Sequence, residues 1–143
     1  FKKDIEMKIN NVPFLIEANN KIFENKLFDL ASSFSNKVEK VNSTERKKIH
    51  LAAVIACNFS NHMLVLAKNI MKNSNLEFSL LLPLIKKTFS QINDNPIKLQ
   101  TGPASRKDMR VINEHLELIK DKNINFLYEL ISKSIIDSNE KNS

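Results

Sequence analysis

Apolar residues recur along this chain at two different spacings, and the change from one to the other marks its elements. Residues 12 to 18, Val-Pro-Phe-Leu-Ile-Glu-Ala, are a short apolar run between turn signals, the pattern of a strand. After Asn19-Asn20 the spacing lengthens. Ile22, Phe23, Leu27, Leu30, Ala31 and Phe34 recur at intervals of three and four, which predicts a helix. Residues 37 to 42, with Val38 and Val41 as their only apolar members, predict a second short strand. Two strands alone do not make a stable sheet, so this strand–helix–strand reads as the edge of something larger.

Asn42-Ser43-Thr44-Glu45 then carries a helix start signal, a capping side chain with Glu three positions on. No Gly or Pro follows until after Lys72, so one helix of about thirty residues, roughly 45 Å at 1.5 Å per residue, is predicted. Its centre, Leu51 to Leu66, is apolar on almost every face and should be surrounded by protein. Asn73-Ser74-Asn75 breaks it. A second helix is expected from about Glu77 to Asn93, with Pro83 inside it to kink or restart it. Asn93-Asp94-Asn95-Pro96 is a stop signal. Two further helices, about Ser105 to Lys120 and Ile124 to Asp137, complete a mainly α, multi-helix pattern. The expected division is 1–42 for the strand–helix–strand tail, 43–138 for the helical domain and 139–143 for a frayed polar end.

Composition agrees with this reading. A chain of 143 residues with 42% hydrophobic and 27% charged residues is that of a globular domain, and one Gly with four Pro argues against an all-β fold. The net charge of +6 raises nucleic acid or an anionic membrane as partners. It comes from Lys spread along the whole length, with arginine only at Arg46, Arg106 and Arg110, so a solvated surface is the simpler account and neither partner is expected. Cys57 stands alone in an apolar setting and reads as a small buried hydrophobe. No signal-peptide pattern opens the chain, and no uninterrupted run approaches the roughly 18 apolar residues of a membrane span, so a cytoplasmic protein is expected. An opening Phe-Lys-Lys without Met points to a piece of a longer protein.

Three places could carry chemistry. His50 and Asn58 lie on the long helix about 80° apart at 100° per residue, with Asn61 and His62 nearby. Buried amides and imidazoles need partners, so either a structural pairing or a ligand must meet them. Thr101-Gly102-Pro103 holds the only Gly, beside a hydroxyl, with Arg106 and Asp108 opening the next helix. It is either a tight helix–helix connection with a local ion pair or a ligand-binding turn. His115 is a lone mid-helix histidine. There is no Gly-rich phosphate loop, no metal-ligand spacing and no nucleophile elbow, so the chain alone holds no complete active site and binds no cofactor or metal by itself.

These pieces, taken in order, carry a resemblance. His50-Leu-Ala-Ala-Val-Ile-Ala-Cys-Asn58-Phe59, Leu81-Leu82-Pro83-Leu84, Thr101-Gly102-Pro103-Ala-Ser-Arg106-Lys-Asp108, His115-Leu116 and Leu127-Tyr128 resemble the domain of unknown function that follows a Rossmann domain in NAD(P)-dependent oxidoreductases. The family pattern at the turn is close to Thr-Gly-Pro-x-x-Arg-Gly-Asp; this chain has Lys107 in place of that Gly and Gln100 where a small apolar residue is usual. The resemblance implies a fold similar to the C-terminal helical domain of 6-phosphogluconate and 3-hydroxyacid dehydrogenases. Such domains commonly dimerise and close a cleft over the nicotinamide. It implies NAD(P) in the full-length parent, a homodimer and a small-molecule substrate. In the 3-hydroxyacid dehydrogenases a Lys and an Asn one turn apart face the substrate. Asn58 matches that Asn, while the Lys position falls on Val54, leaving His50 as the nearest replacement. The implied site is therefore His50 and Asn58 as catalytic groups, with Thr101, Gly102, Pro103, Arg106, Asp108 and His115 toward the substrate. The rival reading is a non-catalytic dimerisation module.

Overall fold

The computed structural model describes residues 9–72, 74 and 76–141. The fold is mainly α, with a two-stranded parallel sheet preceding the helices. The chain divides into two compact units, Phe1–Asn61 and His62–Ser143.

In the first unit a short 3-10 turn, Ile9–Asn11, leads into β1 (Phe14–Ile16), then α1 (Lys21–Ser32) and β2 (Val38–Lys40). The strands pair in parallel with Phe14 opposite Val38 and Ile16 opposite Lys40. Both are shorter than the runs in the sequence, because only three residues of each find a partner. Asn20 caps α1, its side chain accepting from the Phe23 amide at 2.8 Å. Ser35, 3% exposed, ties the crossover together. Its hydroxyl donates to the Val12 carbonyl at 2.6 Å and accepts from the Lys37 amide at 3.1 Å. Buried polar atoms need such partners, and this one hydroxyl meets both strand ends.

The start signal at Asn42 is a full capping box. The Thr44 and Glu45 amides donate to its side chain at 2.9 Å, and its own amide donates to Glu45 at 2.8 Å. Glu17, just past β1, accepts from the Ser43 amide at 2.8 Å and pairs with Arg46, placing a carboxylate at a positive helix end. The helix beginning here comprises α2 (Ser43–Ala53), a π-helical stretch Val54–Phe59 and α3 (Ser60–Met71). Over its 29 residues it is long and apolar enough to cross a membrane by length and composition alone, with mean hydropathy 1.5 in its best window. The sequence expectation missed this by requiring an unbroken apolar run. A second correction concerns Cys57, which is exposed. Leu51, Ile55 and Phe59 are likewise more than half exposed.

The second unit holds the α3 residues from His62 onward, α4 (Leu82–Ser90), α5 (Met109–Leu118) and α6 (Lys122–Lys141). Pro83 restarts a helix: a 3-10 turn Phe78–Leu81 precedes α4, and the proline sits in its first turn, where no amide is needed. The helix expected from Ser105 begins only at Met109, because residues 101–107 form a compact turn and Asp108 is the cap. Helix α6 continues past the 138 boundary to Lys141, with Asn139 donating to Ser105 at 3.3 Å.

The buried apolar residues among those described are Ile16, Ala31, Ala104 and Ile112. Several large apolar side chains are more than 60% exposed, among them Ile22, Leu80, Leu118 and Phe126. Much apolar surface is left bare.

Candidate functional site

His50 and Asn58 belong to the first unit; the other six candidate residues belong to the second. His50 lies in the last turn of α2 and Asn58 inside the π-helical stretch. At the junction the Val54 amide donates to both the His50 and Leu51 carbonyls, so α2 ends on a shared bond before the π-helical stretch begins. A π turn closes on i→i+5, so it takes in an extra residue and every later residue lags the α-helical phase. Asn58 is thereby drawn back from the 80° offset of a uniform helix toward the side of His50. Both residues are exposed, and neither side chain forms a hydrogen bond among the described residues. The buried polar pair expected from the sequence is therefore a bare one here. Local widening of this kind concentrates at functional sites, and nothing in residue spacing announces it.

The second group is built. Gly102 has φ of 101°, a conformation that favours glycine, and a Cβ there would meet nothing within 4 Å. The Pro103 carbonyl accepts from the amides of Arg106 at 3.2 Å and Asp108 at 2.9 Å, folding the turn back on itself. Asp108 then caps α5, its carboxylate accepting from the Val111 amide at 3.2 Å. Lys107, standing where the resembling pattern has Gly, has φ of 55°. This left-handed backbone explains a glycine preference; for a lysine it costs about 1–2 kcal/mol. The lysine side chain meets Glu140 of α6 at 2.7 Å. That contact holds the Glu140 carboxyl below its ordinary value, chiefly by hydrogen bonding. Arg106 is exposed and forms no salt bridge with Asp108, so the local ion pair considered from the sequence is absent.

His115 does not stand alone. Its Nδ1 lies 2.7 Å from the Tyr128 hydroxyl of α6, with the rings edge-on at 71° and centroids 5.7 Å apart. Tyr128, the only tyrosine of the chain, entered the sequence reading as part of the resemblance but not as a site residue. Tyr128 lines a cavity of about 310 Å³ in the second unit. Thr101 and Pro103 of the turn line the same cavity, so the turn and the Leu127-Tyr128 piece meet there. Gly102, Arg106 and Asp108 frame the turn without lining it.

Residues 12–135 match the family described as "Domain of unknown function (DUF2520)". The chain belongs to that family. Among solved structures, this DUF2520 chain is similar to the "putative NADP oxidoreductase BF3122" of Bacteroides fragilis, with 42% identity and a TM-score of 0.85 over 96% of this chain and 54% of that one. It is also similar to protein TM1727 of Thermotoga maritima, with 29% identity and a TM-score of 0.71 over 83% of this chain and 50% of that one. The chain thus spans about half the length of these structures. No curated protein matches it.

Proposed function

We propose that this DUF2520 chain is the helical C-terminal part of an NADP-dependent oxidoreductase, forming a subunit interface and one wall of the substrate cleft. The observation that carries the reading is the 42% identity, across nearly the whole chain, to a protein whose name is that of an NADP oxidoreductase of about twice the length. The bare apolar helix Ser43–Met71 supports it, because an apolar helix with no residue of its best window buried needs cover from elsewhere. A second copy and the nucleotide-binding part would both supply it, in a cytoplasmic homodimer acting on a small molecule.

These residues do not fit the cofactor itself. The only glycine is Gly102, on a turn whose surroundings are open, and no phosphate cradle is present among the described residues. The dinucleotide belongs to the other half of the parent. When bound there it supplies hydride transfer. This chain contributes His50, whose imidazole can pass a proton to or from a substrate oxygen. Asn58 donates a hydrogen bond to the same substrate; in the second unit Thr101 and Pro103 of the turn line an apolar cavity of their own.

The test is turnover of the longer protein with His50→Ala and Asn58→Ala. A fall of about a hundredfold or more is expected for His50→Ala from loss of acid–base assistance. Unchanged turnover in both variants overturns the assignment and favours a non-catalytic dimerisation module.

A further inference from the structure

The cavity of the second unit is built differently from a simple bare face. Helix α3 presents Met63, Leu66 and Ile70 to it, and α6 presents Leu127, Ile131 and Ile135, each set at helical spacing. Three small residues, Ala67, Ala104 and Ser132, line the same space, and Ala104 and Ser132 are buried. Their size leaves the volume open where a leucine would fill it. At about 310 Å³ the space lies at the lower end of ligand pockets. It would take about ten carbon-sized groups, counting each at the roughly 30 Å³ of a liquid water. No charged residue lines it. Three hydroxyl-bearing residues line it, Thr101, Tyr128 and Ser132, and of these Tyr128 is backed at 2.7 Å by His115.

We infer that this cavity binds a neutral, apolar molecule of about this size carrying one hydroxyl or carbonyl group, held at that group by the Tyr128–His115 pair. The pair suits both groups. If Nδ1 accepts the phenolic proton, the tyrosine oxygen accepts from an alcohol. If Nδ1–H donates to the tyrosine oxygen, the phenol donates to a carbonyl. The inference concerns a binding site in the second unit and does not draw on the His50–Asn58 assignment proposed above. A carboxylate head would enter with no cation to meet it, at a desolvation cost.

The experiment is calorimetric titration of the 143-residue chain with octan-1-ol, octan-2-one and octanoate. Saturable one-to-one binding of the alcohol and ketone is expected, with octanoate at least tenfold weaker. Tyr128→Phe should weaken the ketone about five- to tenfold, the net worth of one hydrogen bond. Ser132→Leu should abolish binding while the circular dichroism stays helical; if that variant unfolds, Ala67→Leu fills the cavity from α3 instead. No binding by the unaltered chain, octanoate binding as tightly as the ketone, or full affinity in Tyr128→Phe would each overturn the inference. None of these depends on turnover, so loss of hydride transfer in the longer protein with ligand binding intact would fault the functional reading alone.

Discussion

The long helix Ser43–Met71 and the 101–108 turn with its His115–Tyr128 neighbour carry candidate chemistry in opposite ways. The turn is finished within the chain. Its backbone closes on Pro103, Asp108 caps α5, Lys107 and Ser105 reach α6, and its residues meet a cavity. The helix is unfinished. None of its apolar residues is buried, several are more than half exposed, and its His50 and Asn58 side chains hold no partner among the described residues. A site whose parts are locked by their own chain can be read from that chain. A site whose parts wait for another surface can only be marked as waiting.

The largest effect that would break this comparison is in the packing. Ile112 of α5 is 3% exposed, so Ile112→Ala should cost this chain about 2–5 kcal/mol in chemical unfolding. Ile55, 53% exposed on the long helix, should cost the monomeric chain within about 0.5 kcal/mol when changed to Ala. Its effect should appear instead as a weaker dependence of melting temperature on protein concentration. An equal cost for both would mean that the helix is already covered.

The next effect sharpens the contrast among polar groups. Ser35→Ala removes a buried hydroxyl serving both strand ends and should cost about 1–3 kcal/mol, whereas Asn58→Ala should leave the unfolding midpoint of this chain where it was. A clear loss in Asn58→Ala would show that the amide is paired after all.

The smallest effect is at Lys107. Lys107→Gly frees a backbone held at φ of 55° but loses the contact with Glu140, so the two changes should nearly cancel, within about 1 kcal/mol. The pH profile separates them. Glu140 has its folded pKa depressed, so its contribution is present above the ordinary carboxylate value and is lost as pH falls through the folded one. Stability should decline more gently in acid for Lys107→Gly than for the unaltered chain. An unchanged acid slope would show that the pair contributes nothing in solution.

What the sequence determined by itself was whatever depends on near neighbours. The helix starts at Asn20 and Asn42 were legible because a cap and its target lie three residues apart. The strand–helix–strand order, a helix end near residue 72 (α3 stops at Met71, while Asn73 and Asn75 of the break signal lie outside the described residues) and the effect of Pro83 followed from the same short-range rules. Glycine at position 102 marked the turn because φ of 101° leaves few alternatives. Tertiary structure alone decided the rest. The π-helical stretch that holds Asn58, the meeting of His115 with a tyrosine thirteen residues away and the left-handed Lys107 opposite Glu140 are not announced by any period in the sequence. Burial was the least legible property. The apolar centre of the long helix reads as core in any sequence, but whether it is covered depends on which surfaces surround it, and a residue's hydrophobicity does not name them.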